Sequence, residues 1–543
     1  MTQASEQVLP VGLAPEPQAW FRRLAKSKSL QLAAGFFAIL VVMGRIEFAG
    51  PAILDNDGYY HIRWSKMVRE SLPRLPAFKA LPLTTLSESK YVDHHFLFHV
   101  LLMPFTFGDL RVGAKVAAAL FSSLGIASIF MLLVVYRVRY KFLWLAPLIA
   151  SSEPFLYRFA MTRAPSLSLA LLGAGAYLIL KRKLVWLAVL SFAFVWFYSL
   201  FPLIIAFAAI HTLTVYLAER RIVVGAPVAA FCGALTGMIV NPYFPKNFSL
   251  FLEHIVMKAN TSADYTVKVG VEWYPYESWT LVASSAAAFV IFIVALLAFD
   301  YRARLRDPKP LFFLMISVMM LLMTFKSRRF IEYWPPFAIA FAAFTISPKL
   351  KGFDRQWFGR SRDRAIAAMA ASAATVLLAS SMIWTVREAC QDIKDETDPY
   401  AYKGASEWIA AHTEPGSMIF NTDWDDFPML FYYNPANTYI VGLDPTYLYD
   451  ADHDLWKLYA RITLGKENDP APLIRDRFGA RYVYTDNEHT DFLGIARDSG
   501  DFEEVYKDDF STVLRVRGPD EPRLKKETAE PQDEDSGDDD EER

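Results

Sequence analysis

The sequence predicts a polytopic α-helical membrane protein, with about eleven transmembrane helices followed by a small α/β domain. Three observations carry that expectation. Hydrophobic residues make up 53% of the 543-residue chain and charged residues only 21%, with a mean hydropathy of +0.20; a soluble chain cannot hide so much apolar surface. The apolar residues fall in runs near the ~20 residues that cross a bilayer, and these runs stop close to residue 387. Basic residues cluster in the short segments between runs. A soluble enzyme, a disulfide-stapled secreted domain and a disordered scaffold are thereby excluded. The 56 Lys and Arg against 58 Asp and Glu leave a net charge of -2 and no basic footprint for nucleic acid. With only 2 Cys, Cys232 and Cys390, neither a disulfide framework nor a thiolate metal site is expected.

Residues 1–29 are read as a cytoplasmic amino-terminal segment, because Arg22, Arg23, Lys26 and Lys28 precede the first run at 30–50. That run is too long for a signal-peptide core and lacks a small-residue cleavage site. Residues 30–387 form the expected transmembrane domain, with outer loops at 51–111 and 241–278. Further runs lie near 112–135, 142–152, 165–180, 184–200, 201–217, 222–240, 279–299, 310–324, 330–347 and 365–387. Basic loops follow at 137–141, 181–183, 219–221, 302–309 and 349–364. Eleven spans put all of these loops on the cytoplasmic side, as the positive-inside rule requires, if 94–107 lies along the outer interface instead of crossing. The carboxyl-terminal part then lies outside. Residues 388–518 mix strand-like runs at 417–421, 439–442, 482–485 and 512–516 with helical ones at 401–412 and 454–464, which reads as an extracytoplasmic α/β domain. Residues 519–543 are acidic and lack aromatics, so disorder is expected there.

Five clusters bear chemistry. Asp55-Asn56-Asp57-Gly58-Tyr59-Tyr60-His61 follows the first span, and its carboxylates suit a hard divalent cation, although the same residues also suit a turn or helix cap. Glu272, with Trp273, Pro275 and Trp279, closes the long 241–278 loop, where an interfacial aromatic belt explains the aromatics but not the carboxylate. Arg328 and Arg329 sit on the outer side against the charge rule; guanidinium suits phosphate, and an ion pair with Glu332 is the plainer reading. In the tail domain, Asp423-Trp424-Asp425-Asp426-Phe427-Pro428 offers an apolar wall beside an acceptor, or an acid-rich surface turn. Finally, His61, His94, His95 and His99 crowd the first outer loop, as transition-metal ligands or as interfacial packing.

Together these segments resemble the catalytic subunit of oligosaccharyltransferase, a family of GT-C fold glycosyltransferases. Asn56-Asp57-Gly58-Tyr59-Tyr60 looks like that family's first acidic motif, Val271-Glu272 through Trp279 like its loop glutamate, Arg329-Phe330 like its donor-phosphate arginine, and Asp423 to Pro428 like its WWD motif. The resemblance implies a GT-C-like membrane domain, metal binding and acceptor orientation by Asp57 and Glu272, and acceptor contacts by Trp424, Asp425 and Asp426. The family's second acidic pair is missing: the loop from Ser152 to Pro165 offers Glu153 with Arg158 and Arg163 instead, and Asp423 replaces the first Trp of WWD. Two outcomes stay open. Either Asp55, His94 or His95 completes a Mn²⁺ or Mg²⁺ site with Asp57 and Glu272, or Arg158 or Arg163 neutralises the phosphate without metal.

The expected function is transfer of a sugar or oligosaccharide from a polyprenyl-phosphate or polyprenyl-diphosphate donor to a protein or glycan acceptor. It would take place at the outer face of the cytoplasmic membrane, with membrane lipid as a partner and no nucleic acid. The donor phosphate would meet Arg329, Arg328, Arg158 and Arg163. One alternative is a monosaccharide transferase using a polyprenyl-monophosphate sugar to modify a lipid or glycan. A transporter or flippase is the alternative from another class, but it would place polar or broken helices at mid-membrane, whereas most charges here fall in loops.

Overall fold

The computed structural model describes residues 27–252, 270–305, 307–352 and 361–523. The amino-terminal segment up to residue 26 and the acidic tail from residue 524 lie outside the described residues. The chain divides into two compact units, residues 1–76 with 91–399, and residues 77–90 with 400–543.

The first unit is helical. Lys28–Glu47, Leu110–Val135, Pro202–Glu219 and Lys309–Lys326 are, among the described residues, the 4 helices long and apolar enough to cross a membrane. Two bent pairs raise that number to 6 if each is one span: Glu153–Ala160 with Ala164–Leu180, bent by 108°, and Ser278–Ser284 with Ala286–Ala298, bent by 82°. Most of the other expected runs are also helical but shorter: Leu184–Phe197 has 14 residues, Gly225–Ile239 has 15 and Trp334–Ile346 has 13. At 1.5 Å per residue these fall short of a ~30 Å hydrocarbon core. The sequence runs overcount helix length because their ends are spent on caps and turns; Pro165, Pro202, Pro335 and Pro336 all stand at helix starts, where the missing N–H is no loss. Gly233 lets Gly225–Ile239 lie directly on Leu184–Phe197, since a Cβ there would stand 2.1 Å from the Ala188 carbonyl oxygen. The segment expected along the interface is the short helix Phe96–Leu102 and the 3₁₀ turn Met103–Thr106.

The chain after the first helix is tied down before it reaches the acidic motif. Lys115, buried in Leu110–Val135, donates from Nζ to the carbonyls of Gly50, at 3.0 Å, and Ala52. A turn with Asp55 at φ 70 leads into the helix Asp57–Ser71. Aspartate tolerates this left-handed backbone better than most residues, and Asp57 in the first helical turn faces the favourable end of the dipole. Gly58 is required by packing, because a Cβ there would lie 2.6 Å from Ile53 Cγ2 and 3.2 Å from Thr162 Cβ.

The second unit is an α/β domain around a 5-stranded sheet ordered β2-β1-β3-β5-β4. Its strands are β1 (Met418–Asn421), β2 (Thr438–Tyr439), β3 (Tyr482–Asp486), β4 (Phe502–Lys507) and β5 (Ser511–Val516). β1 pairs parallel with β2 and β3, while β5 is antiparallel to both β3 and β4. Phe420, Ile440, Val483, Leu514 and the helix residues Leu458, Ile462, Ile474 and Phe492 form its core. Residues 77–90 belong here through backbone bonds from Tyr439 N to Ala80 O, 2.8 Å, and from Thr85 N to Tyr447 O, 3.0 Å.

Candidate functional site

In the first unit, three breaks in helical structure bring charged side chains together. The break between Glu153–Ala160 and Ala164–Leu180 presents Arg158 from the last turn of one helix and Arg163 at the N-cap of the next. The break between Lys309–Lys326 and Trp334–Ile346 is a 3₁₀ turn, Arg328–Glu332, opened by Ser327, whose Oγ accepts from Arg329 N at 3.4 Å. The third is the end of the long loop, where Val271–Trp273 forms another 3₁₀ turn. Ser327 Oγ donates to the Glu272 carbonyl at 2.8 Å, and Arg328 N donates to Tyr274 O at 3.0 Å, so the two turns are stitched to each other.

Glu272 stands at the centre. Arg158 Nη2 lies 2.9 Å from its Oε2, Arg163 Nη1 3.3 Å from Oε2, and Arg329 Nη2 2.8 Å from Oε1. Arg163 continues to Asp57 Oδ2 at 2.8 Å and Asp55 Oδ2 at 3.3 Å, and Arg158 Nε donates to Glu332 Oε1 at 2.7 Å. Arg329 also lies over the Trp273 ring, its Cζ 4.3 Å from the centroid. Burial alone would raise the Glu272 carboxyl, but the Arg163, Arg329 and Arg158 guanidiniums outweigh it and hold the group well below the usual carboxylate range. Asp55 goes the other way: burial pushes it up to about 7 despite Arg163, and Asp57 beside it adds to the rise.

Six of the residues singled out in the sequence therefore meet: Asp55, Asp57, Arg158, Arg163, Glu272 and Arg329. Arg328 does not join them. Its Nε donates to Pro275 O at 3.2 Å and its guanidinium lies over Tyr276, so it fastens the loop backbone. Glu332, expected as the partner of the outer arginines, is instead bound by Arg158.

The histidines are held by a different carboxylate. His99 Nδ1 lies 2.7 Å from Asp93 Oδ2, and since a carboxylate only accepts, that nitrogen carries the proton. His61 Nδ1 lies 2.8 Å from His99 Nε2, and Trp64 Nε1 donates to Asp93 Oδ2 at 3.1 Å. His95 stacks on Tyr198 with ring centroids 5.4 Å apart, and His94 packs on His95 at 4.0 Å. Burial lowers both His61 and His95 well below the ordinary imidazole range.

The proposed cation does not fit this arrangement. Among the described residues no group of 3 or more His, Cys, Asp and Glu side chains is placed to hold an ion. Asp55, Asp57 and Glu272 all face Arg163, and His94 and His95 pack with aromatic rings instead of completing a ligand set with them.

A cleft of about 380 Å³, which no sequence motif announces, is lined by Glu153, Tyr157, Asp392, Asp395, Glu396 and Thr397. Glu396 accepts the Asp55 backbone N–H, and burial with Asp55 nearby pushes its carboxyl up to about 7.

In the second unit, the acid-rich motif follows β1. Asp423 Oδ1 accepts Asp425 N at 3.1 Å, closing a turn that leaves Asp425 exposed. Asp426 is buried and accepts from Tyr402 OH at 2.8 Å, while Trp424 packs on the sheet core. Burial, reinforced by Asp423, holds the Asp426 carboxyl well above its usual range.

The fold of this chain is that of solved GT-C fold glycosyltransferases. The particular structures it resembles include the archaeal oligosaccharyltransferase AglB from Archaeoglobus fulgidus, in complex with an inhibitory peptide and a dolichol-phosphate. That likeness has a TM-score of 0.58 at 13% identity and covers 88% of this chain and 71% of that one. They also include ArnT from Cupriavidus metallidurans bound to undecaprenyl phosphate, with a TM-score of 0.55 at 15% identity, covering 89% of this chain and 98% of that one. No protein-family profile matches the chain, and no curated protein matches it in sequence.

Proposed function

We propose that this protein is a membrane glycosyltransferase that takes a sugar or oligosaccharide from a polyprenyl-phosphate-linked donor and passes it to an acceptor at the outer membrane face. The convergence of Arg158, Arg163 and Arg329 on one carboxylate carries this reading. Guanidinium forks suit phosphate oxygens, and a lipid-borne donor requires a site on a membrane unit. In transfer, the bond between the anomeric carbon and the phosphate oxygen breaks, its electron pair staying on the phosphate, while an acceptor oxygen or nitrogen bonds to that carbon. The acceptor's proton passes to a carboxylate, for which Asp57 is the candidate, and the arginines stabilise the charge gathering on the leaving group. Trp424 and the exposed Asp425 are the residues of the second unit proposed to meet the acceptor.

A polyprenyl-monophosphate donor of a single sugar is the second reading. Two of the similar structures hold monophosphate lipids, dolichol-phosphate in AglB and undecaprenyl phosphate in ArnT, and the likeness covers 98% of the ArnT chain. Eleven spans, with the second unit on the periplasmic side of the inner membrane, belong to the same proposal; reporter fusions after residue 400 should be active only when exported.

Arg329→Ala tests the central claim. Loss of one charge-assisted phosphate contact should cost about 1.5–3 kcal/mol, or roughly 10–100-fold in affinity for a polyprenyl phosphate presented to the purified protein. Unchanged affinity would reassign Arg329 to holding Glu272.

A further inference from the structure

Arg163, at the break between Glu153–Ala160 and Ala164–Leu180, occupies the space between carboxylates from separate segments. Arg163 Nη1 reaches Asp55 and Glu272, both at 3.3 Å, and Nη2 reaches Asp57 at 2.8 Å. Its side chain is 13% exposed, so the charge is shielded from solvent as a bound ion would be. We propose that the Arg163 guanidinium is a resident cation standing in for a divalent metal: it gathers Asp55, Asp57 and Glu272, and the site works without an added ion.

Three physical points support it. A hard divalent cation needs carboxylate oxygens at about 2.0–2.6 Å with no competing charge between them, and here the space between the three carboxylates is filled by a planar group fixed at the N-cap of Ala164–Leu180. Arginine stays protonated under all ordinary conditions, so its charge is as permanent as a metal's. One guanidinium carries half the charge of a divalent ion, and Arg329, 2.8 Å from Glu272, makes up the difference, while Arg158 is shared between Glu272 and Glu332. The same substitution explains the sequence departure, since arginines stand in the loop where the resembling family carries its second acidic pair.

The proposal rests on the transferase reading for its purpose, but its test does not. Purified full-length protein, stripped with chelator, would be titrated with Mn²⁺ while the free-ion electron paramagnetic resonance signal is followed. The parent should take up no stoichiometric Mn²⁺. Arg163→Ala, or Arg163→Gln if the first variant does not fold, should expose the three carboxylates and take up about one ion per chain. One Mn²⁺ bound by the parent would overturn the proposal. So would a folded variant that binds none, because the carboxylates would then not form a cation site at all. Undecaprenyl phosphate binding, measured separately with and without chelator, should be equal in the parent; absence of any lipid-phosphate binding would count against the transferase reading alone.

Discussion

The two acid-rich motifs, Asp55-Asn56-Asp57 in the first unit and Asp423-Trp424-Asp425-Asp426 in the second, look alike as strings and differ in what their carboxylates face. Asp55 and Asp57 look outward from a turn and a helix start onto Arg163, a side chain more than a hundred residues away in sequence. Asp423 is satisfied two residues along its own turn, and Asp426 is buried against Tyr402. A carboxylate bound by a distant arginine belongs to a charge network that a phosphate can enter; one satisfied locally holds backbone in place.

The largest effect is expected at Arg158. Glu332 is 1% exposed and relies on Arg158 Nε, so Arg158→Ala leaves a buried carboxylate uncompensated and should cost about 3–5 kcal/mol of stability. Arg158→Ala with Glu332→Gln should recover most of that stability, but not lipid-phosphate affinity. Asp425→Ala, at an exposed turn position, should stay within about 0.5 kcal/mol of the parent. Denaturant unfolding in detergent measures all of these. If Arg158→Ala unfolds no more readily than Asp425→Ala, the cage is not the buried network described.

Activity should separate the motifs next. Asp57→Asn weakens the 2.8 Å contact to Arg163 from an ion pair to a neutral acceptor and removes the candidate base. A loss of about 1.5–3 kcal/mol in transition-state stabilisation, roughly 10–100-fold in turnover, is expected from the contact alone. Asp425→Asn should leave turnover within about 2-fold unless the acceptor uses that carboxylate, in which case the Michaelis constant for the acceptor rises while donor affinity does not. Equal turnover in Asp57→Asn and parent would place both motifs in the structural class.

Tyr402→Phe probes the buried end of the second motif. It removes the hydrogen bond to Asp426 and should cost about 1–3 kcal/mol. Asp426 is raised by burial, so its contribution to stability is present at low pH and is lost as pH rises through its folded-state value. The Tyr402 hydroxyl favours the ionised form, so the variant's deficit should widen as pH rises into the range where Asp426 of the parent ionises. A deficit that narrows over that range would mean that Asp426 is ionised in the parent for another reason.

How much of this could be read in the sequence follows from range. Apolar runs and the strands β1, β3 and β5 are local signals, and they were legible. β4, whose residues are Phe502-Glu-Glu-Val-Tyr-Lys507, was not, because an edge strand next to β5 buries little and keeps its charges. The place of residues 77–90 in the second unit rests on backbone bonds to residues 439 and 447, which no local pattern announces. At the site, residue types were legible and partnerships were not. Arg158 and Arg163 stood out as departures from an acidic pattern, but their contacts with Glu332 and Asp55 depend on two helix breaks meeting in space. The histidines suggest ligands by spacing, while nothing local marks Asp93 as the carboxylate that pins His99 and through it His61.

A smaller loss than that of Tyr402→Phe is expected from the Asp486–His489 pair at the end of β3, and it checks whether the second unit's polar groups act as local staples. His489 Nδ1 lies 2.8 Å from Asp486 Oδ1, with the side chains 22% and 25% exposed. The hydrogen bond to Asp486 raises His489; burial would raise Asp486, but the hydrogen bond and charge of His489 hold it below its usual range. The two directions set the pH window. A raised histidine contributes fully below its unfolded value of about 6.5 and loses that contribution as pH climbs through the folded value; a depressed aspartate contributes fully above its unfolded value of about 3.9 and loses it on acidification. The pair should therefore be worth most between about pH 4 and pH 6.5, at roughly 0.5–1 kcal/mol for a partly exposed ion pair. His489→Gln isolates that contribution, because the bonds that Asp486 Oδ1 accepts from the backbone N–H groups of Glu488 and His489, at 2.8 and 3.1 Å, do not depend on the imidazole. The stability difference between parent and variant should be largest near pH 5.5 and shrink by pH 8. A difference that stays flat across that range would show that the contact holds the turn by shape alone, with no charge involved.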